Sequence, residues 1–264
     1  MGQQHLLFSH DTVRGLQLFI SDALVNQSTH LKIKPVKHLA MGIHVHDRIP
    51  EDISPAGALQ RLKEGNFRFV NNLKLNRDLL EQMNDTKDGQ WPFAAILSCM
   101  DSRTSAELIF DLGLGDIFSV RIAGNVISEN VLGSLEYATA VVGSRLIVVL
   151  GHTNCGAVKG ACDNVELGHI TALLEKIKPA IAQETQTKTN RTGDNSSFVN
   201  SVSKLNAQHT AYEIVKKSEI IRKLVEDGTV GIVSAIYDVA TGKVTFYEDA
   251  SLMKPAETAK AGVA

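Results

Sequence analysis

The sequence predicts an α/β fold with a mostly parallel central sheet flanked by helices, and three observations favour this class. Apolar runs with the length of buried strands recur at 93–97, 117–122, 146–150 and 230–237. Segments with helical spacing of apolar residues separate these runs. Strand–helix–strand alternation of this kind is typical of parallel pairing through right-handed crossovers. We therefore expect four parallel strands, with a fifth strand at 243–247 returning after Thr241-Gly242 as an antiparallel edge.

The helices are predicted from apolar spacing and end signals. Ser54 followed by Pro55 is typical of a helix start, with Ser as the N-cap and Pro in the first position. The remaining helices are expected at 77–83, 104–112, 128–142, 157–161, 170–181 and 198–225. The polar stretch 183–197 between the last two predicts an exposed loop.

Composition limits the classes of function. The chain has 264 residues, 44% of them hydrophobic and 21% charged, with a net charge of −2. Such a balance gives no support for binding to nucleic acid or to an anionic membrane. No stretch reaches the length of a transmembrane helix, and the N-terminus lacks a signal pattern. A cytoplasmic location is the default, and a periplasmic one would follow if a signal peptide had been removed.

The chain divides into three predicted segments. Residues 1–52 are expected to form an N-terminal extension and linker, 53–255 the one folded domain, and 256–264 a frayed tail. Six of the nine histidines lie in the extension at irregular spacing, which favours a solvated polar segment over a metal-capturing tail. Within it, 11–25 fits one amphipathic helix and 32–50 an extended linker.

Two thiols and one imidazole follow the ends of two predicted strands. Cys99 comes after the run 93–97, and His152 and Cys155 come after 146–150. Because the carboxyl ends of parallel strands meet at one edge of a sheet, these groups are expected to converge. Thiolates and imidazole suit Zn²⁺, and three protein ligands leave a fourth position for water. The alternative is two buried cysteines and a hydrogen-bonded core histidine. Because such groups follow the ends of two separate predicted strands, we favour one zinc per chain.

Asp101 and Arg103 follow Cys99 at two-residue spacing. A carboxylate and a guanidinium so placed can pair in fork geometry, which keeps the Asp ionised and limits it to accepting hydrogen bonds. The alternative is a surface ion pair of little consequence.

The motif Cys-x-Asp-x-Arg followed by His-x-x-Cys resembles that of the β-class carbonic anhydrases. The resemblance covers roughly residues 54–250 and includes the segments 121–125 and 151–157. It implies reversible hydration of CO₂ to bicarbonate and a proton by attack of zinc-bound hydroxide, with Asp101 orienting the hydroxide and Arg103 holding Asp101. It also implies a homodimer or a dimer of dimers, in which the N-terminal helices pack on the partner subunit.

The resemblance is to the open-site, plant-like subgroup. Closed-site members carry a Trp where this chain has Ile96. The resemblance further implies substrate-binding residues, partly supplied across a subunit boundary, at Gln90, Phe118, Tyr137 and Gly156. One departure is Val141, where plant members have a His that is a proposed proton shuttle. Proton export is therefore expected to depend on buffer alone.

Two other functions stay open at the level of sequence. Relatives with the same fold and ligand set hydrolyse COS or CS₂, and the same nucleophile attacks either molecule. A non-catalytic zinc-binding protein would need a fourth protein ligand, and no further Cys or His has suitable spacing.

Overall fold

The computed structural model of the chain describes residues 53–253. The helix expected at 11–25, the linker at 32–50 and the tail from 256 lie outside these residues. Within the described range, no helix combines the length and apolar character needed to cross a membrane.

The described residues form a five-stranded sheet of the predicted class. Its strands are β1 (Ala94–Ser98), β2 (Ile117–Arg121), β3 (Leu146–His152), β4 (Gly231–Tyr237) and β5 (Val244–Leu252). The spatial order is β2-β1-β3-β4-β5. The first four strands are parallel, and β5 is antiparallel to β4. The α/β class with one antiparallel edge strand is confirmed.

Nine α-helices are present in residues 53–253. They are α1 (Pro55–Val70), α2 (Leu79–Thr86), α3 (Ala106–Ile109), α4 (Glu129–Glu136), α5 (Gly156–Cys162), α6 (Gly168–Leu174), α7 (Lys178–Gln183), α8 (Ser196–Lys217) and α9 (Glu219–Glu226). The predicted start of α1 is correct, since the Ser54 hydroxyl accepts a hydrogen bond from the Gly57 N–H at 3.1 Å.

Helices cover both faces of the sheet. On one face α1 and α3 pack against alternate residues of β1, β3 and β4. On the other face α4, α8 and α9 pack against the intervening residues. A third apolar cluster lies around Cys99 and Cys155 and includes residues of α5, α7 and α8. The carboxyl ends of β1 and β3 therefore adjoin an apolar cluster in which Cys99 and Cys155 are buried.

The structure corrects three predicted elements. The helix predicted at 128–142 is α-helical only to Glu136 and ends in a π-helical turn at Tyr137–Val141. The helix predicted at 170–181 is divided at 175–177, because Pro179 in the first turn of α7 has no N–H for the preceding turn. The loop 183–197 is not wholly exposed. Glu184 is 4% exposed and accepts bonds from Thr187 and Arg191.

The apolar face of α1 also differs from expectation. The expected packing of the N-terminal helices on a partner subunit would use exposed apolar side chains of α1, with Leu62, Phe67 and Phe69 as candidates. Leu62 is fully buried in the core of its own chain, and Phe69 packs partly against the same core. Only Phe67 of the three is exposed, at 62%. The helical period places Leu62 on the stripe that faces the sheet and Phe67 on the opposite side.

A buried carboxylate ties the N-terminal helices to the core. Asp111 is 4% exposed and pairs with Arg68 Nε at 2.5 Å and with Arg77 Nη1 at 2.6 Å. Burial raises the pKa of Asp111, but the two guanidinium groups and the Leu75 N–H outweigh it, so the pKa lies below its ordinary value. The ion pairs of Asp111 with Arg68 and Arg77 thus join the end of α3 to α1 and to the segment before α2.

Candidate metal centre

Cys99, His152 and Cys155 converge at the carboxyl ends of β1 and β3. Cys99 directly follows β1, His152 is the last residue of β3, and Cys155 immediately precedes α5. Their ligand atoms all lie within 4.8 Å of one another, and the two sulfur atoms are 4.0 Å apart. All three residues are buried. The parallel strands bring together the groups that the sequence placed at two strand ends.

The orientation of His152 leaves one ring nitrogen without a hydrogen-bond partner. Its Nδ1 lies 2.9 Å from the Thr153 carbonyl oxygen, which can only accept, so Nδ1 carries the proton. Nε2 then keeps its lone pair, and this buried atom has no partner in the described part of the chain. A buried acceptor without a donor is costly. Ligation of a cation would satisfy it, with Nδ1 fixed as in many metal-binding histidines.

The two thiols shift each other's pKa in opposite directions. The contact with the Cys155 sulfur lowers the pKa of Cys99 to about 4, helped by the nearby His152 ring and the backbone of the adjoining loops, although burial opposes this shift. The same contact with Cys99 and burial raise the pKa of Cys155. Two cysteine sulfurs and a free imidazole lone pair form a donor set that suits Zn²⁺. The residues therefore fit a zinc ion.

Asp101 faces the metal group from the loop after β1. Arg103 donates through Nε to Oδ1 at 2.9 Å and through Nη2 to Oδ2 at 2.8 Å, and its N–H also reaches Oδ1 at 3.0 Å. The Arg103 side-chain bonds hold the pKa of Asp101 well below its usual range. Oδ2 is 4.0 Å from Nε2 of His152. The ionised Asp101 carboxylate thus lies beside the three candidate ligands and is not one of them.

Two further side chains fix this loop, and neither was predicted from the sequence to have a role. The Arg121 guanidinium donates to the Asp101 carbonyl at 2.6 Å and to the Cys99 carbonyl at 3.3 Å. The buried Thr104 hydroxyl lies 2.9 Å from both carbonyl oxygens. Arg121 belongs to the segment 121–125 that carries part of the family resemblance, so its position was a usable signal.

Tyr237 is a third residue near the site that sequence reasoning missed. It ends β4 and is the register partner of His152 in β3. Register partners on adjacent strands point to the same face of the sheet, so the His152 and Tyr237 side chains leave the sheet on one face. Burial raises the pKa of Tyr237, and the charge of Arg103 lowers it in part. A neutral hydroxyl therefore lies within the electrostatic reach of the Asp101–Arg103 pair.

Comparison with known proteins decides the family. The carbonic anhydrase family model matches residues 94–244, which include all three candidate ligands. The carbonic anhydrase of Mycolicibacterium smegmatis is 36% identical over 200 residues, covering 72% of this chain and 92% of the relative. Carbonic anhydrase 2 of Mycobacterium tuberculosis is 35% identical over 196 residues, covering 72% and 91%. The chain belongs to the β-class carbonic anhydrase family.

Solved structures share the fold of this carbonic anhydrase. The β-carbonic anhydrase CafA of Aspergillus fumigatus superposes with a TM-score of 0.58 at 24% identity, covering 76% of this chain and 92% of that one. A tetrameric β-carbonic anhydrase of Sordaria macrospora superposes with a TM-score of 0.56 at 22% identity, covering 64% and 90%.

Three of the four expected substrate-binding residues lie away from the metal group of their own chain. Phe118 is the register partner of Ala95, which lies four residues before Cys99. Along the strand direction, Phe118 is therefore roughly 13 Å from Cys99. Gln90 is exposed beyond the opposite end of β1. Tyr137 is 50% exposed and contacts Phe118 edge to face, with ring centroids 6.2 Å apart. Both rings line an open groove on the outer side of β2.

Gly156, Val141 and Ile96 occupy different surroundings. Gly156 is exposed at the start of α5, next to Cys155, and nothing lies within 4 Å of the place where a Cβ would stand. Val141 is 71% exposed in the π-helical turn. Ile96 is fully buried in the middle of β1. Of the three, only Gly156 adjoins the metal group.

Proposed function

We propose that this chain catalyses the reversible hydration of CO₂ to bicarbonate and a proton, with one zinc held by Cys99, His152 and Cys155. The observation that carries the proposal is the unpartnered, buried Nε2 of His152 among two thiols, with an ionised Asp101 4.0 Å away. Membership of the carbonic anhydrase family supports the same reaction.

The chemistry divides between the metal and the chain. Zinc, when bound, supplies hydroxide at neutral pH because it lowers the pKa of water from 15.7 to about 7. The chain supplies the ligands, excludes water by burying them, and places one acceptor beside them. Its three candidate ligands leave one tetrahedral position for the reacting oxygen. In residues 53–253, no fourth Cys, His, Asp or Glu atom joins the group, which favours catalysis over a structural zinc site.

Asp101 would direct the nucleophile. With two bonds from the Arg103 side chain, its carboxylate stays ionised and can only accept a hydrogen. Oδ2 would accept the O–H hydrogen of the hydroxide, so that an oxygen lone pair points to CO₂. Arg103 is a positioning residue in this scheme, and Arg121 and Thr104 fix the loop that carries both.

The remaining substrate contacts would come from a second subunit. Gln90, Phe118 and Tyr137 are too far along β1 and β2 to reach the metal group of their own chain. The outer edge of β2 has no strand neighbour in residues 53–253. A two-fold partner on this side could pair with the edge and place the aromatic groove near its metal group. We therefore propose a dimer as the smallest active unit. Of the four expected substrate-binding residues, only Gly156 would come from the chain that holds the metal.

The test is a stopped-flow CO₂ hydration assay with metal analysis. The purified chain should contain one zinc, hydrate CO₂, lose activity with a chelator and regain it with zinc but not with magnesium. COS and CS₂ assayed in parallel separate the two related hydrolases. A fully zinc-loaded chain that hydrates CO₂ no faster than buffer would overturn the proposal.

A further inference from the structure

A side chain of α8 holds the loop between two of the candidate ligands. This loop runs from His152 to Cys155 and contains Thr153 and Asn154. The Asn154 N–H donates to the Asn200 side-chain oxygen Oδ1 at 3.0 Å, although the two residues are 46 positions apart. Asn200 lies in the second turn of α8 and is partly buried. The ligand loop is thus tied to a helix that carries none of the ligands.

Asn154 has a backbone conformation that needs support from its surroundings. Its φ is +55°, in the left-handed region that is costly for residues other than glycine and that asparagine tolerates better than most. A residue keeps such a conformation where neighbouring contacts fix it. The bond to Asn200 fixes the N–H of Asn154, and so it helps to hold the sharp turn that places Cys155 beside His152.

The group that Asn200 holds is one end of a rigid peptide unit. The Asn154 N–H and the Thr153 carbonyl belong to the same planar trans peptide and point in opposite directions. The Thr153 carbonyl oxygen accepts a hydrogen bond from Nδ1 of His152 at 2.9 Å. An acceptor on the N–H therefore fixes the direction of the carbonyl, and the carbonyl fixes the tautomer and the plane of the imidazole ring. In this tautomer Nε2 keeps its lone pair in the group with the two cysteine sulfurs.

The end of β4 holds the other side of Thr153. The Thr153 N–H donates to the Tyr237 carbonyl oxygen at 3.0 Å, and the Thr153 hydroxyl oxygen accepts from the Val239 N–H at 3.1 Å. These two bonds fix the start of the loop. They leave free the rotation about the Cα–C bond of Thr153, which turns the next peptide unit. The bond to Asn200 restrains that rotation.

We propose that Asn200 is a positioning residue for the His152 ligand, which acts through the Thr153–Asn154 peptide and strengthens zinc binding. The inference rests on the proposed zinc function. Removal of a direct hydrogen-bond partner of a metal-binding histidine commonly weakens metal binding about 10- to 100-fold. Asn200 acts one step further out, and the carbonyl itself remains, so a smaller loss of about 3- to 10-fold is expected.

The main experiment compares Asn200→Leu and Asn200→Asp with wild type. Leucine has a similar shape but no acceptor, whereas an aspartate carboxylate can accept from the Asn154 N–H as the amide oxygen does. Each zinc-loaded protein is titrated with a competing chromophoric chelator. Asn200→Leu should bind zinc about 3- to 10-fold more weakly than wild type, and Asn200→Asp should bind it at least as tightly as wild type.

Ser203→Ala is the matched control for a general loosening of α8. Ser203 lies about one turn further along the same helix, and its hydroxyl donates to the Val199 carbonyl oxygen at 2.9 Å. The variant loses a side-chain bond within α8 and leaves the bond from Asn200 to the ligand loop in place. Its zinc affinity should match that of wild type.

Nuclear magnetic resonance separates positioning from loss of stability. In zinc-loaded wild type with isotope-labelled histidine, the Nδ1 proton of His152 should exchange slowly with water, because the residue is buried and this proton is bonded to the Thr153 carbonyl. In Asn200→Leu the proton should exchange about 3- to 10-fold faster, in step with the loss of zinc affinity. Asn200→Asp and Ser203→Ala should resemble wild type.

Each other outcome is decisive. Zinc affinity and proton exchange in Asn200→Leu within about twofold of wild type would overturn the role of Asn200, while the zinc proposal would stand. A change in only one of the two readouts, or an equal loss in Asn200→Asp or Ser203→Ala, would show that Asn200 does not act on the ligand through its acceptor. Asn200→Ala also lacks the acceptor and replaces Asn200→Leu in both measurements if the leucine variant does not fold. If wild type itself bound no zinc, the proposed function would fail.

Discussion

The substitution Asp101→Asn tests whether the carboxylate beside the metal group accepts a hydrogen during the reaction. The amide has the same size, so the loop and the ligand positions should persist. What changes is the chemistry of one atom, because an amide has one acceptor and one donor where the carboxylate has two acceptors.

The geometry predicts which atom becomes the donor. Oδ1 accepts two bonds from Arg103, at 2.9 Å from Nε and 3.0 Å from the backbone N–H, and Oδ2 accepts only one, at 2.8 Å. The amide oxygen should therefore take the Oδ1 place, and the NH₂ group the Oδ2 place. That is the atom 4.0 Å from Nε2 of His152. The nucleophile would then face a donor, and loss of a positioned proton acceptor typically costs about 10²- to 10⁴-fold in rate.

Turnover is measured by stopped-flow CO₂ hydration, and zinc by elemental analysis of the same samples. We expect Asp101→Asn to keep full zinc and to lose at least about 10²-fold in kcat. The ratio of variant to wild-type turnover should stay constant from about pH 6 to pH 9, since Arg103 holds the pKa of Asp101 well below its ordinary value of about 4 and the group does not titrate in this range.

Glu107→Gln is the control. Glu107 is a nearby carboxylate on α3 that bonds Ser105 and Ser119 and does not face the ligands. It should retain turnover. Full zinc with turnover within about threefold of wild type in Asp101→Asn would refute the role of Asp101. A ratio that changes through neutral pH would refute the claim that the carboxylate stays ionised.

Three other predictions concern the metal, the fold and the assembly. Cys99→Ala should lose zinc and activity together, which elemental analysis and the CO₂ assay check; full zinc would remove Cys99 from the ligand set. Asp111→Ala should lower the free energy of unfolding by about 3–5 kcal/mol in urea titration, because Arg77 would be left buried without its partner. This loss should shrink as the pH falls below about 4, since the depressed pKa of Asp111 confines its contribution to higher pH. Activity should follow dimer concentration in light scattering across a dilution series, and a fully active monomer would contradict the partner-subunit placement of Tyr137.

Local patterns were enough to predict the strands and the convergence of the candidate ligands. The run 146–150 is apolar at every position because β3 is buried on both faces, and the real strand continues to His152. Because β1 and β3 pair in parallel, Cys99 and His152 lie at the same carboxyl edge of the sheet for any conformation of the loops. Helix ends were less predictable. The widened turn after Glu136 and the break before Lys178 depend on tertiary contacts and on one proline, which apolar spacing does not encode.

The residues that escaped prediction act through the backbone. Arg121 bonds the carbonyl oxygens of Cys99 and Asp101, and Asn206 bonds that of Gly124. A carbonyl is the same for every residue type, so neither contact leaves a complementary side chain in the sequence. Asn206 in particular lies in a helix far along the chain and shows no spacing relative to the ligands. What could have marked it is the cost of its burial, because an amide on an apolar helix face needs a partner. In the structure that partner is the Gly124 carbonyl oxygen, which accepts a hydrogen bond from the Asn206 side chain at 2.8 Å, so a polar residue of α8 fixes the turn that follows β2.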